Sequence, residues 1–161
     1  MNIRSALQWV ESTNLSTAIR EGPLLYPIIG GFHLLAIALF GGMLVMTDLR
    51  LLGWAMRRRA VSDIVAQFRM WKRAGFVLVV LSGLLLAWAE PLKLYRSPSF
   101  WAKMVLMVLV GVHALAFHNC VYENTNTLDA GLTAQAKVAA ALSLILWAGL
   151  IVTGRLIAFD S

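Results

Sequence analysis

The sequence is poor in charge and in cysteine, and both shortages limit what the protein can do. Only 14% of its 161 residues are charged, whereas 60% are apolar, a balance that a soluble globular domain rarely has. Cys120 is the single cysteine, which excludes an internal disulfide and any zinc or iron–sulfur site built from several thiolates. The sequence also lacks internal repeats and low-complexity tracts, which predicts one domain over residues 1–161.

A continuous apolar core is missing from the first 22 residues. Arg4, Glu11, Arg20 and Glu21 interrupt this stretch, so we expect no cleavable signal peptide and expect the first long apolar run to act as its own insertion signal. Nothing resembles a hydrolase triad, a phosphate-binding loop or a pair of catalytic carboxylates. Any chemistry is therefore expected within the apolar helices or at their ends.

Four long runs are free or almost free of charge, and about 20 helical residues cross a bilayer. Because lipid cannot satisfy free backbone groups, each run is expected to be a helix. The sequence thus predicts an all-α integral membrane protein, a four-helix bundle with short interfacial helices. The spans are expected at about 24–47, 74–90, 100–121 and 137–158. We expect Lys72, Arg73 and Arg155 to extend their charged groups to the membrane interface.

The net charge of +6 would suit a nucleic-acid-binding protein, but the basic residues bunch beside apolar runs. Such bunching is typical of membrane topology and not of a nucleic-acid interface. The loop between spans one and two holds Arg57, Arg58 and Arg59, and positive loops stay on the cytoplasmic side. The sequence therefore predicts a multi-pass protein of the bacterial inner membrane, with both termini in the periplasm and the lipid bilayer as its surroundings.

Two further segments are expected to form helices outside the spans. Apolar residues recur at helical spacing from Val61 to Trp71, and Ser62 is the predicted N-cap. This helix lies either on anionic lipid or against the end of the bundle, and both alternatives give the same periodicity. The stretch from residue 5 to residue 19 is expected to form a second surface helix at the opposite side.

All three histidines lie in apolar runs, His33 in span one and His113 and His118 in span three. An ionisable group at such depth needs a partner, because burial without one costs several kcal/mol. Two neutral imidazoles are natural axial ligands for haem b. The alternative is that each histidine only bonds one helix to the next.

Depth along the helix separates the three histidines. Counted from span starts near Leu24 and Phe100, His33 is 9 residues deep, His113 is 13 and His118 is 18. His33 and His113 are then offset by about 6 Å along the axis, whereas His33 and His118 are offset by about 14 Å. The sequence therefore predicts His33 and His113 as the axial ligands of the haem iron and leaves His118 to bond another helix.

Charged residues at the span ends form two groups. Lys103 and Arg155 at the outer side are predicted to neutralise haem propionates, whereas Asp48 and Arg50 mark the inner exit of span one. Anchoring to lipid headgroups and a local ion pair are the alternative explanations. Gly30, His33 and Gly41 share one helix face, where small residues admit either a flat macrocycle or a neighbouring helix.

Several segments resemble a bacterial family of small four-helix inner-membrane proteins of unassigned function. In that family, the position of His113 is more often occupied by Asn. The sequence also resembles, more loosely, haem-containing membrane protoporphyrinogen oxidases and copper-resistance membrane proteins. This likeness rests on Arg50, which follows His33 by seventeen residues, and on Lys103, which precedes His113 by ten. It implies that the protein binds haem. The segments that carry the family resemblance are residues 33–53, 98–103, 117–118 and 154–159.

Three functions remain open from the sequence. The first is a b-type haem protein that transfers electrons or does haem-dependent redox chemistry with quinol or a membrane redox partner. The second is a non-enzymatic scaffold or accessory subunit that assembles through its glycine faces, as part of a larger complex or as a homo-oligomer. The third is a small metal or solute transporter that uses His33, His118, Asp48 and Arg50.

Overall fold

The computed structural model describes residues 2–117, 128–129 and 131–160, and within these ranges the chain is helical and has no strand. A short 3₁₀ turn, Ile157–Phe159, follows the last helix. The helices are α1 (Ile3–Glu11), α2 (Asn14–Glu21), α3 (Leu25–Leu51), α4 (Val61–Ala89), α5 (Pro91–Arg96), α6 (Pro98–Ala116) and α7 (Ala134–Leu156).

Four of these helices, α3, α4, α6 and α7, are long and apolar enough to cross a membrane. Their apolar side chains are mostly exposed: 11% of the most apolar part of α3 is buried, and none of the corresponding part of α4. Soluble monomers rarely expose apolar surface of this extent. The prediction of an all-α chain with four apolar helices is confirmed, and the described ranges add the short helices α1, α2 and α5.

Two helix boundaries differ from those that the sequence predicts. The amphipathic stretch from Val61 is continuous with the second span, because no proline or glycine interrupts the chain before Gly75. The N-cap of α4 is Ala60 and not Ser62. At the N-terminus, one predicted surface helix is divided into α1 and α2, since Thr13 leaves the helical conformation and accepts a hydrogen bond from Ser16 N at 3.4 Å as the cap of α2.

α3 packs against α4 on one side and α7 on the other, and α6 packs against the far side of α7. The main helix contacts therefore run in the order α4, α3, α7, α6. We call the end at which α3 begins and α7 ends the terminal end, because the described chain termini lie there. The other end, which carries Arg57, Arg58 and Arg59, is the basic end.

α3 and α7 approach each other most closely at Gly41. The indole of Trp147 lies against this glycine, where a Cβ atom would overlap it. The Phe40 ring meets the same indole edge to face, with 5.6 Å between ring centroids. This contact sets the level of α7 along α3.

A cluster of buried apolar residues lies at the basic end, where α3 ends and α4 and α7 begin. Gly53 follows α3 with a φ of +75°, and the bonds from Gly53 N to Arg50 O and from Trp54 N to Leu49 O form a Schellman motif. The buried cluster comprises Leu51, Val61, Val65, Leu128, Ala136, Ala139 and Ala140.

Asp129 caps α4 from a distant part of the chain. Its Oδ1 accepts hydrogen bonds from Val61 N at 2.5 Å and Ser62 N at 3.3 Å, and its Oδ2 accepts one from Ser62 Oγ at 2.6 Å. These donors, with the Ser62 hydroxyl the strongest, hold the pKa of Asp129 below its usual range. The carboxylate therefore accepts hydrogen bonds from the first N–H groups of α4, which the side chain of the N-cap residue, Ala60, cannot do.

Gly41→Ala should lower the free energy of unfolding by about 1–3 kcal/mol, because a methyl group overlaps the Trp147 indole in a close-packed contact. Gly42→Ala is the matched control, since a Cβ there meets nothing within 4 Å. That neighbour should stay neutral or gain up to about 1 kcal/mol from helix propensity. Thermal unfolding of both variants in one detergent measures the difference, and equal loss in both would contradict the contact.

Asp129→Asn should lower the free energy of unfolding at neutral pH. It should also reduce the change in that free energy between neutral and acidic pH. The sign follows from the lowered folded-state pKa: the carboxylate stabilises the fold above its unfolded pKa, and this contribution is lost as pH falls through the folded pKa. Asp63→Asn, in the exposed first turn of the same helix, is the control. Unfolding midpoints measured across this pH range should converge for wild type and Asp129→Asn at low pH; parallel curves would disprove the cap.

Candidate functional site

His33 lies on α3 and bonds to the neighbouring helix α4. Its Nδ1 is 2.9 Å from Ser82 Oγ, and that hydroxyl is also 2.5 Å from Leu78 O. A serine hydroxyl has one proton, which the Leu78 carbonyl can only accept, so Ser82 Oγ accepts from Nδ1–H of His33. This assignment leaves the Nε2 lone pair of His33 unprotonated, which is the form in which imidazole binds a metal ion.

Glycine makes room for the His33 ring. A Cβ on Gly83 of α4 would be 3.1 Å from the ring carbon Cε1, closer than side chains normally pack. The Cε1 corner of the ring therefore approaches the backbone of α4 at Gly83, and Ser82 bonds to the adjacent Nδ1.

Lys103 of α6 lies at the same level as His33. Its ammonium lies close to Gly154 of α7, where a Cβ would be 3.2 Å from Nζ. It is also near enough to His33 for the two groups to interact electrostatically. Within the described ranges, no carboxylate lies within ion-pair distance of Lys103. An imidazole and an ammonium thus meet among apolar helices, an arrangement that favours an anionic or electron-rich ligand.

His113 lies elsewhere. Its Nε2–H donates to the Ala139 carbonyl of α7 at 3.0 Å, and its ring lies 5.0 Å from that of Phe117. Lys103 and His113 are ten residues apart on α6, about 15 Å along the axis, and their contacts with Gly154 and Ala139 O extend the two side chains in opposite directions. The structure does not bring His33 and His113 together.

The sequence-based depths differ from these positions for a simple reason. They assume that spans one and three begin at one level, whereas contacts with α7 determine where α3 and α6 lie along each other. The bond of His113 also extends its ring further towards the basic end. Two ligands of one iron must both reach it at bonding distance, and the observed positions of His33 and His113 do not meet this requirement.

Arg155, the other residue predicted at the propionates, lies near the terminal end, as does Arg20 of α2. The exposed Arg155 guanidinium lies 5.4 Å from the centre of the Phe159 ring. Arg20 is within ion-pair distance of Glu11, at 3.9 Å, and of Glu21, at 3.8 Å. Of the predicted cations, Lys103 alone is seen to interact with His33. His118 lies outside the described residues.

A second polar group, which we call the Asp48 cluster, lies towards the basic end and comprises Thr47, Asp48, Lys72 and Ser143. Asp48 is only 8% exposed; Ser143 of α7 bonds to it and the Lys72 ammonium lies nearby. Lys72 Nζ donates to Thr47 Oγ1 at 2.7 Å, and that hydroxyl donates to Met43 O at 2.8 Å. Oδ2 of Asp48 is buried without a hydrogen-bond partner.

The cluster differs from the prediction for Asp48 and Arg50. Arg50 is also buried, but its Nε donates to Arg59 O at 2.8 Å, so it supports the turn after α3. Lys72, expected to extend to the interface, instead donates to Thr47 on α3. Among the described residues, no group of three or more His, Cys, Asp or Glu side chains could hold a metal ion.

A family model described as "Family of unknown function (DUF6644)" matches residues 6–160. The chain belongs to this family. No curated protein and no solved structure matches it. The expected resemblance to a family of unassigned function is thus confirmed at that level, while the likeness to protoporphyrinogen oxidases and copper-resistance proteins stays a prediction.

Sequence reasoning missed the partners that other helices supply to this member of DUF6644. Ser82 and Gly83, which hold the His33 ring, look like ordinary small residues of a span. Ser143 likewise has no signal of its own. Lys72 carries a weak signal, since it is a cation within a continuous helical pattern that has no break before Gly75.

Proposed function

We propose that this protein is an integral protein of the bacterial inner membrane whose four spans are α3, α4, α6 and α7. Their exposed apolar side chains match lipid as the surrounding medium. Arg57, Arg58 and Arg59 are exposed at the basic end, as are Arg69 and Arg73 of α4. Under the positive-inside rule, this end faces the cytoplasm and both termini face the periplasm.

Within that membrane, the protein binds haem b, with His33 as an axial ligand. The single observation that carries this proposal is the meeting of His33 and Lys103, seventy residues apart in sequence, at one level among apolar helices. The Nδ1 proton of the imidazole is directed at Ser82, which leaves Nε2 unprotonated. The ammonium offers a counter-charge to a propionate.

Each part of this site has a defined task. Ser82 orients the imidazole and increases its basicity, as hydrogen-bonded partners of metal-binding histidines do. Lys103 would neutralise a propionate of bound haem at the terminal end, near Arg155, the residue after Gly154. The apolar surroundings keep water away. Bound haem would supply one-electron chemistry, which suits transfer between quinol in the bilayer and a membrane partner.

His33→Ala should abolish haem binding, whereas His113→Ala should leave it intact, since His113 lies about 15 Å beyond Lys103 along α6. The measurement is the visible spectrum of the detergent-purified protein before and after dithionite, with haem quantified as the pyridine haemochrome. His113→Ala is the matched control because the same imidazole is removed from the same kind of apolar helix.

Three results decide between the arrangements. Loss of haem only in His33→Ala supports the single-histidine site, and equal loss in both variants restores the predicted His33 and His113 pair. Wild-type protein without haem, purified from cells supplied with a haem precursor, would overturn the proposal. Lys103→Gln should weaken haem retention, while Lys103→Arg, which keeps the charge, should largely preserve it.

A second candidate function, a non-enzymatic scaffold or accessory subunit, is favoured by one observation. Both described histidines hydrogen-bond across a helix pair, His33 between α3 and α4 and His113 between α6 and α7. Such bonds contribute about 0.5–2 kcal/mol in membrane proteins. In this case histidines serve assembly, and the exposed apolar faces contact another copy or another subunit.

The scaffold predicts a colourless protein in which His33→Ala and His113→Ala each lose about 0.5–2 kcal/mol of stability. Native mass spectrometry of the wild type should then show an oligomer. A pigmented monomer that loses its colour on His33→Ala would exclude this function.

A further inference from the structure

Asp48 is a carboxyl group that the proposed haem site does not use. It lies on α3, 15 residues beyond His33, and hence about 22 Å further towards the basic end. More than nine-tenths of the residue is buried, with 8% exposed. Its Oδ2 is a buried acceptor without a donor, a condition that costs free energy when the group is ionised.

The charged and titratable groups around Asp48 are few within the described ranges. α4 contributes Lys72, which interacts electrostatically with Asp48 while donating to Thr47. α7 contributes the hydroxyl of Ser143. On α3 itself, Arg50 is directed to the Arg59 carbonyl, and beyond α7 the His113 ring is bonded to Ala139 O.

These surroundings decide what Oδ2 can bind. A metal cation needs several oxygen ligands, but the Thr47 oxygen already accepts from Lys72 and the nearby ammonium repels a second positive charge. A proton needs only one oxygen atom and neutralises the carboxylate, so it does not add a second positive charge beside Lys72. It removes the charge from the buried carboxyl, while the Lys72 ammonium stabilises the carboxylate when the proton leaves.

We infer that Asp48 is a reversible proton-binding site in the basic half of the helix bundle, with Lys72 as the counter-charge of its ionised form. The two opposing influences, burial with an unsatisfied oxygen and a nearby cation, keep both protonation states accessible. The site is independent of the proposed haem function, since it lies about 15 residues from His33 and shares no side chain with it.

Infrared difference spectroscopy tests this inference on the full chain reconstituted in liposomes. Stepping the pH between about 5.5 and 8, where exposed carboxyl groups stay ionised, should produce the C=O stretching band of a protonated carboxyl. The band should be absent in Asp48→Asn and present in Asp63→Asn, whose carboxyl is exposed. Lys72→Met should shift the pH midpoint of the band by about one unit or more towards alkaline pH, because the carboxylate loses its counter-charge.

Isotope labelling makes the test independent of folding of the variants. Aspartate labelled with ¹³C at the side-chain carboxyl should lower the frequency of the band in the wild type, and Asp48→Glu should keep a band that this label no longer moves. A wild type with no titrating carboxyl band, or with a band that survives in Asp48→Asn, would overturn the inference.

Discussion

The contact between Gly41 and Trp147 holds α3 and α7 in register, and the positions of both polar groups follow from it. α7 is the helix that packs against both α3 and α6, so its level along α3 also sets the level of α6. With Trp147 at Gly41, Ser143 lies one turn before Trp147 on α7, nearer the basic end, where it bonds to Asp48. In the other direction, Gly154 comes to the level of His33 and accommodates Lys103. A side chain at position 41 would disturb both arrangements at once.

Two carboxylates outside these groups hold the helix ends at those levels. Asp160, just after α7, accepts hydrogen bonds from Ser97 Oγ at 2.6 Å and from Ser99 N at 2.9 Å, and the Ser97 hydroxyl above all lowers the pKa of Asp160. This bond ties the start of α6 to the end of α7, close to where Lys103 meets Gly154. Asp129 does the same at the basic end for α4, the helix that carries Lys72 and Ser82.

The two polar groups differ in charge and therefore in the chemistry open to them. His33 and Lys103 offer a lone pair and a positive charge, and no carboxylate of the described residues is in ion-pair contact with Lys103. This combination suits an acidic cofactor. Asp48 and Lys72 balance each other, so a proton is the species that can come and go at small cost. On α3, Asp48 and His33 lie within about 60° of each other around the axis, which places both groups towards the packed side of the helix.

The sequence by itself determined that the chain forms four apolar helices, because runs of about 20 uncharged residues have few other stable structures. It also identified His33, Lys103 and Asp48, since ionisable groups on apolar helices stand out. What the tertiary structure decided is which of them meet. His33 bonds to Ser82 and lies within electrostatic reach of Lys103, His113 bonds to Ala139, and Asp48 bonds to Ser143 near Lys72. These partners depend on helix register, which is set by the packing of individual side chains such as Trp147 on Gly41. Depth counted along one helix cannot reveal that register, since neighbouring helices need not begin at the same level.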